Sequence, residues 1–423
     1  MNQNSNKQRR VVITGVGLVT PLGHNVPDTW ENILAGKSGA APPVLLDVDG
    51  LAIQTICEIK DFDAEKYIGR RKARRRDRYE QIATVAAQEA IAQSGLEITD
   101  GNRERVGIIL GTGVGGIRTL VEQEHVRIDK GIRRTSPFAI TMIMPNGAAG
   151  MLAIDYGIHG PSSTITTACA SGNDAVGAAL RTIRSGEADV IISGGSESII
   201  TTVAVAGFER AGATSLRAEN TPQPFDQNRD GLVVGEGAGV LIMESLEHAQ
   251  ARGATILAEV AGYGRSTDGH HITAPAEGGR GAAKAIELAL KDAGTASEEV
   301  DYISAHGTAT PLNDSHETMA IKQVLGEHAY NVGVSSTKSM TGHIMGGTGA
   351  IESVFCALAI RDQMMPPTIN YQTPDPECDL DYIPNEARAG KVDVCLNNAF
   401  GFGGHNAVLV IKKFAGRNKQ VIK

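Results

Sequence analysis

The chain has 423 residues, 41% hydrophobic and 21% charged, with 40 Lys and Arg against 48 Asp and Glu for a net charge of −8. That balance is ordinary for a globular protein and argues against a general nucleic-acid binder. The cysteines, Cys57, Cys169, Cys356, Cys378 and Cys395, are odd in number and form no CxxC pair, which points to neither a disulfide framework nor a zinc site and fits a reducing cytoplasm.

The opening segment 1–10 is polar and lacks an apolar h-region, and no uncharged apolar run reaches about 18 residues, so neither a leader nor a membrane span is expected. Segment 10–15 reads as a buried strand ending in a glycine turn. Segment 79–94 reads as a helix, with Ile82, Val85, Ala86, Ala90 and Ile91 on one face and Gly95 ending it. A strand at 105–110 runs into the loop Gly111-Thr112-Gly113-Val114-Gly115-Gly116, and Glu122 and Glu124 fall on a helix after it. A short β-branched strand at 163–167 delivers Cys169, and Val176, Ala179, Leu180 and Ile183 mark the face of the next helix. Segments 190–193 and 240–243 are further buried strands.

The second half echoes the first. The Ala-rich helix 281–294 ends in Ala-Gly like 83–95, and a strand follows each, 300–305 and 105–110. The Cys169 and His343 segments also correspond, each leading into an amphipathic helix whose apolar stripe opens at Val176 or Ile351. The pattern predicts a duplicated α/β unit, 1–255 and 256–423, joined near Ile256.

Cys169 lies in the small-residue run Thr166-Thr167-Ala168-Cys169-Ala170-Ser171-Gly172 at a strand-to-helix junction. Unpaired backbone N–H groups and the helix dipole there favour a thiolate, and are expected to bring the thiol below its ordinary value of about 8.5. The same N–H groups can serve as an oxyanion hole. Two histidine motifs lie downstream: His306-Gly307-Thr308-Ala309-Thr310-Pro311 and Lys338-Ser339-Met340-Thr341-Gly342-His343. A lysine beside a histidine disfavours the imidazolium, and neutral imidazoles donating N–H bonds suit an enolate. A thiol, two imidazoles and an ammonium can run covalent acyl chemistry without a metal or redox cofactor.

Two glycine loops resemble dinucleotide loops only weakly. The 111–116 loop lacks a ribose-binding acid on a following strand, and Gly15-Val16-Gly17 carries Thr20 where a third glycine belongs, so close backbone packing is the better reading. Segment 70–78 holds Arg70, Arg71, Lys72, Arg74, Arg75, Arg76 and Arg78, and Arg133 with Arg134 adds a second patch. In an acidic chain such a cluster suggests a localised acidic partner.

Taken together, Thr-Ala-Cys-Ala-Ser-Gly, His-Gly-Thr-Ala-Thr-Pro, Lys-Ser-Met-Thr-Gly-His and Phe400-Gly401-Phe402-Gly403-Gly404 resemble the elongating β-ketoacyl-acyl carrier protein synthases, the synthase II group of the thiolase superfamily, over essentially the whole chain. The resemblance implies a thiolase-like α/β fold with duplicated halves in a layered α-β-α-β-α sandwich. It implies a 3-oxoacyl-[acyl-carrier-protein] synthase that condenses an acyl group held on Cys169 with a malonyl carrier, losing CO₂. His306 and His343 would bind the malonyl thioester carbonyl and stabilise the enolate, and Lys338 would hold and tune His343. The N–H groups of Cys169 and Phe402 would form the oxyanion hole, with Phe402 also gating the acyl tunnel. Thr308 and Thr310 would touch the phosphopantetheine arm, and Glu352 would be the buried acid behind the site.

By the same resemblance Val114, Ala139, Phe208 and Phe400 belong to the acyl pocket. Val114 is smaller than the isoleucine common in this group, and Ala139 stands where an aromatic ring from the partner subunit is often found, implying a roomier pocket. Arg71, Arg74, Arg75, Arg133 and Arg134 would dock the acidic carrier, while Gly212 occupies the place of one family docking arginine, with Arg210 and Arg217 nearby. A homodimer is implied, with no metal and no cofactor beyond the carrier's phosphopantetheine. Three other readings stand beside this one. A ketosynthase of a type II polyketide or polyene pathway shares the triad. A coenzyme A thiolase would need a second reactive cysteine, for which Cys395 is the only candidate. A non-catalytic chain-length partner would lack the nucleophile that Cys169 supplies.

Overall fold

Ten strands form one hydrogen-bonded sheet in the computed structural model, which describes residues 8–416. Most of the polar opening segment behind the expectation of no leader therefore lies outside the described residues. The strands are β1 Val11–Val19, β2 Val106–Gly111, β3 Ser162–Ile165, β4 Val190–Glu197, β5 Gly237–Ser245, β6 Ala258–Thr267, β7 Tyr302–Ser304, β8 Gly333–Ser335, β9 Val394–Gly401 and β10 His405–Lys412. Their order across the sheet is β3-β2-β4-β5-β1-β6-β10-β9-β7-β8.

That order is one topology used twice. Counted in chain order, each run of five reads first, fifth, fourth, second, third from the middle outward. Strand directions match as well: β1–β5 and β4–β5 are antiparallel, like β6–β10 and β9–β10, while β2 pairs β4 and β3 in parallel, as β7 pairs β9 and β8. The two runs meet through Val11↔Val260, Val12↔Glu259 and Ile13↔Ala258.

The strand expected to end in a glycine turn continues to Val19 instead. Its glycines serve close packing. A Cβ on Gly15 would lie 2.3 Å from the Ala90 carbonyl oxygen and one on Gly17 1.9 Å from that of Ala86, both on helix α1, Arg78–Ser94. Gly262 and Gly264 of β6 stand in the same relation to the carbonyls of Ala289 and Ala285, at 2.5 and 2.2 Å. Bare backbone at alternate positions lets a helix lie against the strand.

The remaining major helices are α2 Ile117–Lys130, α3 Gly147–Tyr156, α4 Ser171–Arg184, α5 Arg280–Ala293, α6 Pro311–Leu325 and α7 Thr348–Asp362. Helices α1 and α3 pack one outer face of the first five strands, and α5 and α6 the outer face of the other five. Helices α4 and α7 lie between the two runs and share one apolar cluster with both. This makes the layers α-β-α-β-α. The middle position corrects one expectation: α7 is not amphipathic, because every residue from Thr348 to Ile360 is buried. A helix covered by sheet on two sides has no solvent face to keep polar. Asp77 and Glu80 form a capping box at the start of α1, and Gly95 ends it in the left-handed region at φ 63°. Among the described residues, no helix is long and apolar enough to cross a membrane.

Candidate active site

The loops at the ends of β3, β7 and β9 and the N-termini of α4 and α7 converge. Strand β3 delivers a tight elbow: Thr167 and Cys169 pair across Ala168, which is left-handed at φ 50°. A non-glycine residue there is held only if its surroundings over-determine it. Ser171, the first residue of α4, does so twice, accepting from the Thr167 N–H at 2.9 Å and donating to the Ala168 carbonyl at 2.6 Å. Cys169 is 7% exposed, with the N–H groups of Phe402 and of Cys169 itself directed at its sulfur.

The thiol does not titrate as expected. Burial pushes it up to about 11, and the pull of the Phe402 N–H and of Lys338 only partly offsets this. Desolvation of a thiolate on a dry apolar floor outweighs two amides and one buried ammonium. Cys169 therefore rests as the neutral thiol.

His306 follows the end of β7. Its N–H and that of Gly307 donate to the two oxygens of Glu317 at 2.8 and 2.7 Å, and Asn398 also donates to Glu317 at 3.0 Å. His343 is fixed through Nδ1, which lies 3.1 Å from Thr348 Oγ1 and accepts from the Met345 N–H at 3.3 Å. Thr348 Oγ1 itself accepts from the Ile344 N–H at 2.8 Å, so its hydrogen is free for the ring. The network assigns the proton of His343 to Nε2. The two imidazoles are 5.4 Å apart between centroids and cross at 82°. Burial holds both well below the usual 6.5, aided by the charge of Lys338 and, for His306, by His343. The neutral rings read from the sequence are therefore present.

Lys338 is 1% exposed and donates to Glu352 Oε1 at 2.7 Å and to the Ala305 carbonyl at 3.4 Å. It acts on the histidines through charge; the hydrogen bonds that orient His343 come from Thr348 and Met345. Burial pushes the Glu352 carboxyl up against the pull of Lys338.

The 111–116 loop encloses a buried carboxyl. Glu197, at the end of β4, accepts from Thr112 Oγ1 at 2.9 Å, from the N–H groups of Gly113 and Val114, and from Gly346 N–H at 3.1 Å. These donors pull the Glu197 carboxyl toward ionisation, while burial pushes it up. Glu197 thus ties this loop to the segment just after His343.

A cavity of about 340 Å³ is lined by Cys169, His306 and His343 together with Thr308, Thr310, Phe208, Phe400 and Phe402. The Phe208 and Phe402 rings are 6.1 Å apart, and Phe400 meets His306 edge-on at 5.7 Å. The hydroxyls of Thr308 and Thr310 are 2.8 Å apart. Gly212 also borders this cavity. Val114 and Ala139 do not. Val114 is 45% exposed, and Ala139 opens the short helix Ala139–Ile143, whose last carbonyl receives the Gly116 N–H at 3.1 Å. Both belong to one outer face of this chain.

The basic run divides. Arg71, Arg74, Arg133 and Arg134 are exposed, and the Arg75 guanidinium lies 4.7 Å over the ring of Phe138, four residues after Arg134. Arg76 is buried on Asp155 at 2.8 Å and Arg78 pairs Glu236 at 2.6 Å, so these two serve the interior. Cys395 is buried in β9 against the Cys356 carbonyl, away from the cavity.

Residues 8–249 match the N-terminal domain of beta-ketoacyl synthases and residues 257–372 match the C-terminal domain. The chain belongs to the β-ketoacyl synthase family of condensing enzymes, with the thiolase-like fold. Among curated relatives, the 3-oxoacyl-[acyl-carrier-protein] synthase 2 of Synechocystis sp. is 49% identical over 96% of this chain and 99% of its own. That of Staphylococcus aureus strain N315 is 47% identical over 98% of this chain and 100% of its own. Similar solved structures include the ishigamide ketosynthase/chain length factor, at TM-score 0.90 and 38% identity over 96% of this chain and 100% of that one. A beta-ketoacyl synthase from Burkholderia phymatum STM815 gives TM-score 0.89 and 33% identity over 96% and 100%.

Proposed function

We propose that the protein is an elongating 3-oxoacyl-[acyl-carrier-protein] synthase that extends fatty acyl chains by two carbons. The observation that carries this is the convergence of Cys169, His306 and His343 on one cavity, with the Phe402 N–H turned toward the sulfur. Cys169 attacks the carbonyl of an acyl thioester; the carrier leaves as its thiol, taking the cysteine proton, and the acyl group stays on sulfur. The N–H groups of Cys169 and Phe402 hold the oxyanion. A malonyl carrier follows. Its C–C bond to the carboxylate breaks, CO₂ leaves, and the electron pair becomes an enolate received by His306 and the Nε2–H of His343. The enolate carbon attacks the acyl carbonyl, and the sulfur departs and recovers a proton. Because decarboxylation generates the carbanion, no strong base is required.

In this reading Thr308 and Thr310 contact the phosphopantetheine arm, Phe402 gates the acyl chain, and Lys338 with Glu352 keeps the histidines neutral. Arg71, Arg74, Arg75, Arg133 and Arg134 receive an acidic acyl carrier protein, and no cofactor beyond its arm takes part. Segment 1–255 supplies the nucleophile and 256–423 the histidines. A homodimer forms across the open edge of β3, next to the exposed Leu120, Ile132, Ile140 and Ile154. Val114 and Ala139, on that face, close the partner's acyl pocket.

The polyketide reading rests on the likeness to the ishigamide ketosynthase/chain length factor at 38% identity, below the 47–49% shared with the synthases 2. Reconstitution separates them: the purified protein receives a ladder of acyl carriers and malonyl carrier, and products are weighed. One two-carbon extension per acyl carrier is expected, lost in Cys169→Ala. A strict need for an added partner subunit points to the polyketide reading, and elongation persisting in Cys169→Ala overturns both.

A further inference from the structure

We propose that Asp174 is a positioning residue that fixes the Cys169 elbow against the other half of the sheet. The inference rests on the reading of Cys169 as nucleophile. Asp174 lies in the first turn of α4, is 7% exposed and does not border the cavity, so the chemistry leaves it unused. Its Oδ2 accepts from the Thr167 hydroxyl at 2.6 Å, and its Oδ1 accepts from the Tyr263 hydroxyl. Thr167 is the residue before left-handed Ala168, and Tyr263 belongs to β6.

The carboxylate therefore links the two runs of strands at the elbow itself. Strand β6 pairs with β10 through Tyr263↔Leu409 and onward to Thr267↔His405, next to the loop that carries Phe402. The rest of Tyr263 is also built in. Gly177 of α4 has no side chain where a Cβ would be 2.5 Å from the Tyr263 ring, and the Arg181 guanidinium lies 4.7 Å over that ring. The Tyr263 N–H donates to Asp292 at 3.0 Å. Ser171 holds the elbow's backbone; Asp174 holds the side chain beside it and refers it to the half supplying His306 and the Phe402 amide. Hydrogen bonds to a charged acceptor are the stronger kind, which suits a device that must keep a strained turn in one place.

The test uses the full-length protein and three variants, Thr167→Val, Tyr263→Phe and Asp174→Asn. Three quantities are read: single-turnover acyl transfer from an acyl carrier to Cys169, the rate of Cys169 alkylation by iodoacetamide located by peptide mapping, and Tm. Thr167→Val and Tyr263→Phe are each expected to slow acyl transfer by about tenfold per folded molecule, since small displacements of a nucleophile are costly. The Thr167→Val/Tyr263→Phe double variant is expected to be little slower than the worse single one, because both act through one carboxylate. Asp174→Asn, which keeps an acceptor, is expected to retain more activity than either. Acyl transfer and alkylation within about twofold of the parent, with only Tm lowered, overturn the proposal. Should Tyr263→Phe fail to fold, the half-buried Thr167→Val decides alone. A parent protein that is not acylated at Cys169 sinks the nucleophile reading instead, so the two failures are distinct.

Discussion

Thr348 holds Nδ1 of His343 at 3.1 Å while accepting the Ile344 N–H at 2.8 Å, and together with the Met345 N–H this leaves the ring's proton on Nε2. Thr348→Val removes the donor to Nδ1 and leaves the Met345 N–H as the only remaining constraint of this kind. Condensation is expected to fall about tenfold, less than the 10²–10³ typical of losing an oxyanion donor outright, because the ring itself remains. Acyl transfer to Cys169 is expected to be unchanged. Single-turnover assays of the two half-reactions check this, and equal loss in both contradicts the assignment. Stability falls by about 1–3 kcal/mol as the Ile344 N–H loses its acceptor.

The thiol of Cys169, pushed up to about 11 by burial, makes an opposite prediction from an activated elbow cysteine. Alkylation by iodoacetamide is expected to rise steadily between about pH 7 and 10 without a plateau, whereas a thiolate-forming site near about pH 7 levels off above it. Lys338 lowers Cys169, His306 and His343 alike, so Lys338→Met moves all three upward. The alkylation curve then shifts further to alkaline pH, and proton NMR of the histidine rings finds them titrating nearer their ordinary value.

The residues that line the cavity as candidate reacting groups are legible because each lies in a contiguous run of small residues: Cys169 between alanines, His306 before Gly307, His343 after Gly342. Of the acids behind them the resemblance names Glu352 but neither Glu197 nor Glu317. Glu197 accepts from Gly113, 84 residues away, and Glu317 from the amides of His306 and Gly307. A sequence does not display which backbone N–H groups are left without partners, and only a carboxyl inside a buried strand or the first turns of a buried helix hints at them. Close backbone packing at Gly15 and Gly17 is legible, whereas the turn expected at Gly15 and the amphipathic reading of α7 fail for one cause. Both depend on what packs against the segment: a helix backbone in one case, sheet on two sides in the other. The duplication was visible, and its detail reaches side chains. Ser171 and Thr348 each open a middle-layer helix, and each accepts the N–H four residues before it.

The paired glycines make that duplication measurable. Gly17→Ala puts a Cβ 1.9 Å from the Ala86 carbonyl oxygen, and Gly264→Ala 2.2 Å from that of Ala285. Neither backbone can yield without parting helix from strand, so each variant is expected to lose about 1–3 kcal/mol or more. Gly207→Ala, inside the exposed helix Thr202–Arg210 with open space around it, is expected to gain about 0.5–1 kcal/mol. Urea denaturation of the three proteins side by side tests the contrast; comparable loss at Gly207 contradicts it.

In the proposed dimer Ala139 bears on chain length. It opens the short helix against which the 111–116 loop is packed, and Ile140 beside it is 66% exposed. A single chain has no use for such an apolar face, and the proposed dimer covers it while turning Ala139 toward the partner's acyl group. Ala139→Phe adds a ring at the start of that helix and shortens the space available. The product distribution from an acyl-carrier ladder is expected to shift toward shorter chains, with the shortest acyl carriers turned over at the parental rate, because Cys169 and the histidines are untouched. An unchanged distribution in a dimeric variant rules out Ala139 as a wall of the pocket. Light scattering on the same sample shows whether the added ring has broken the dimer.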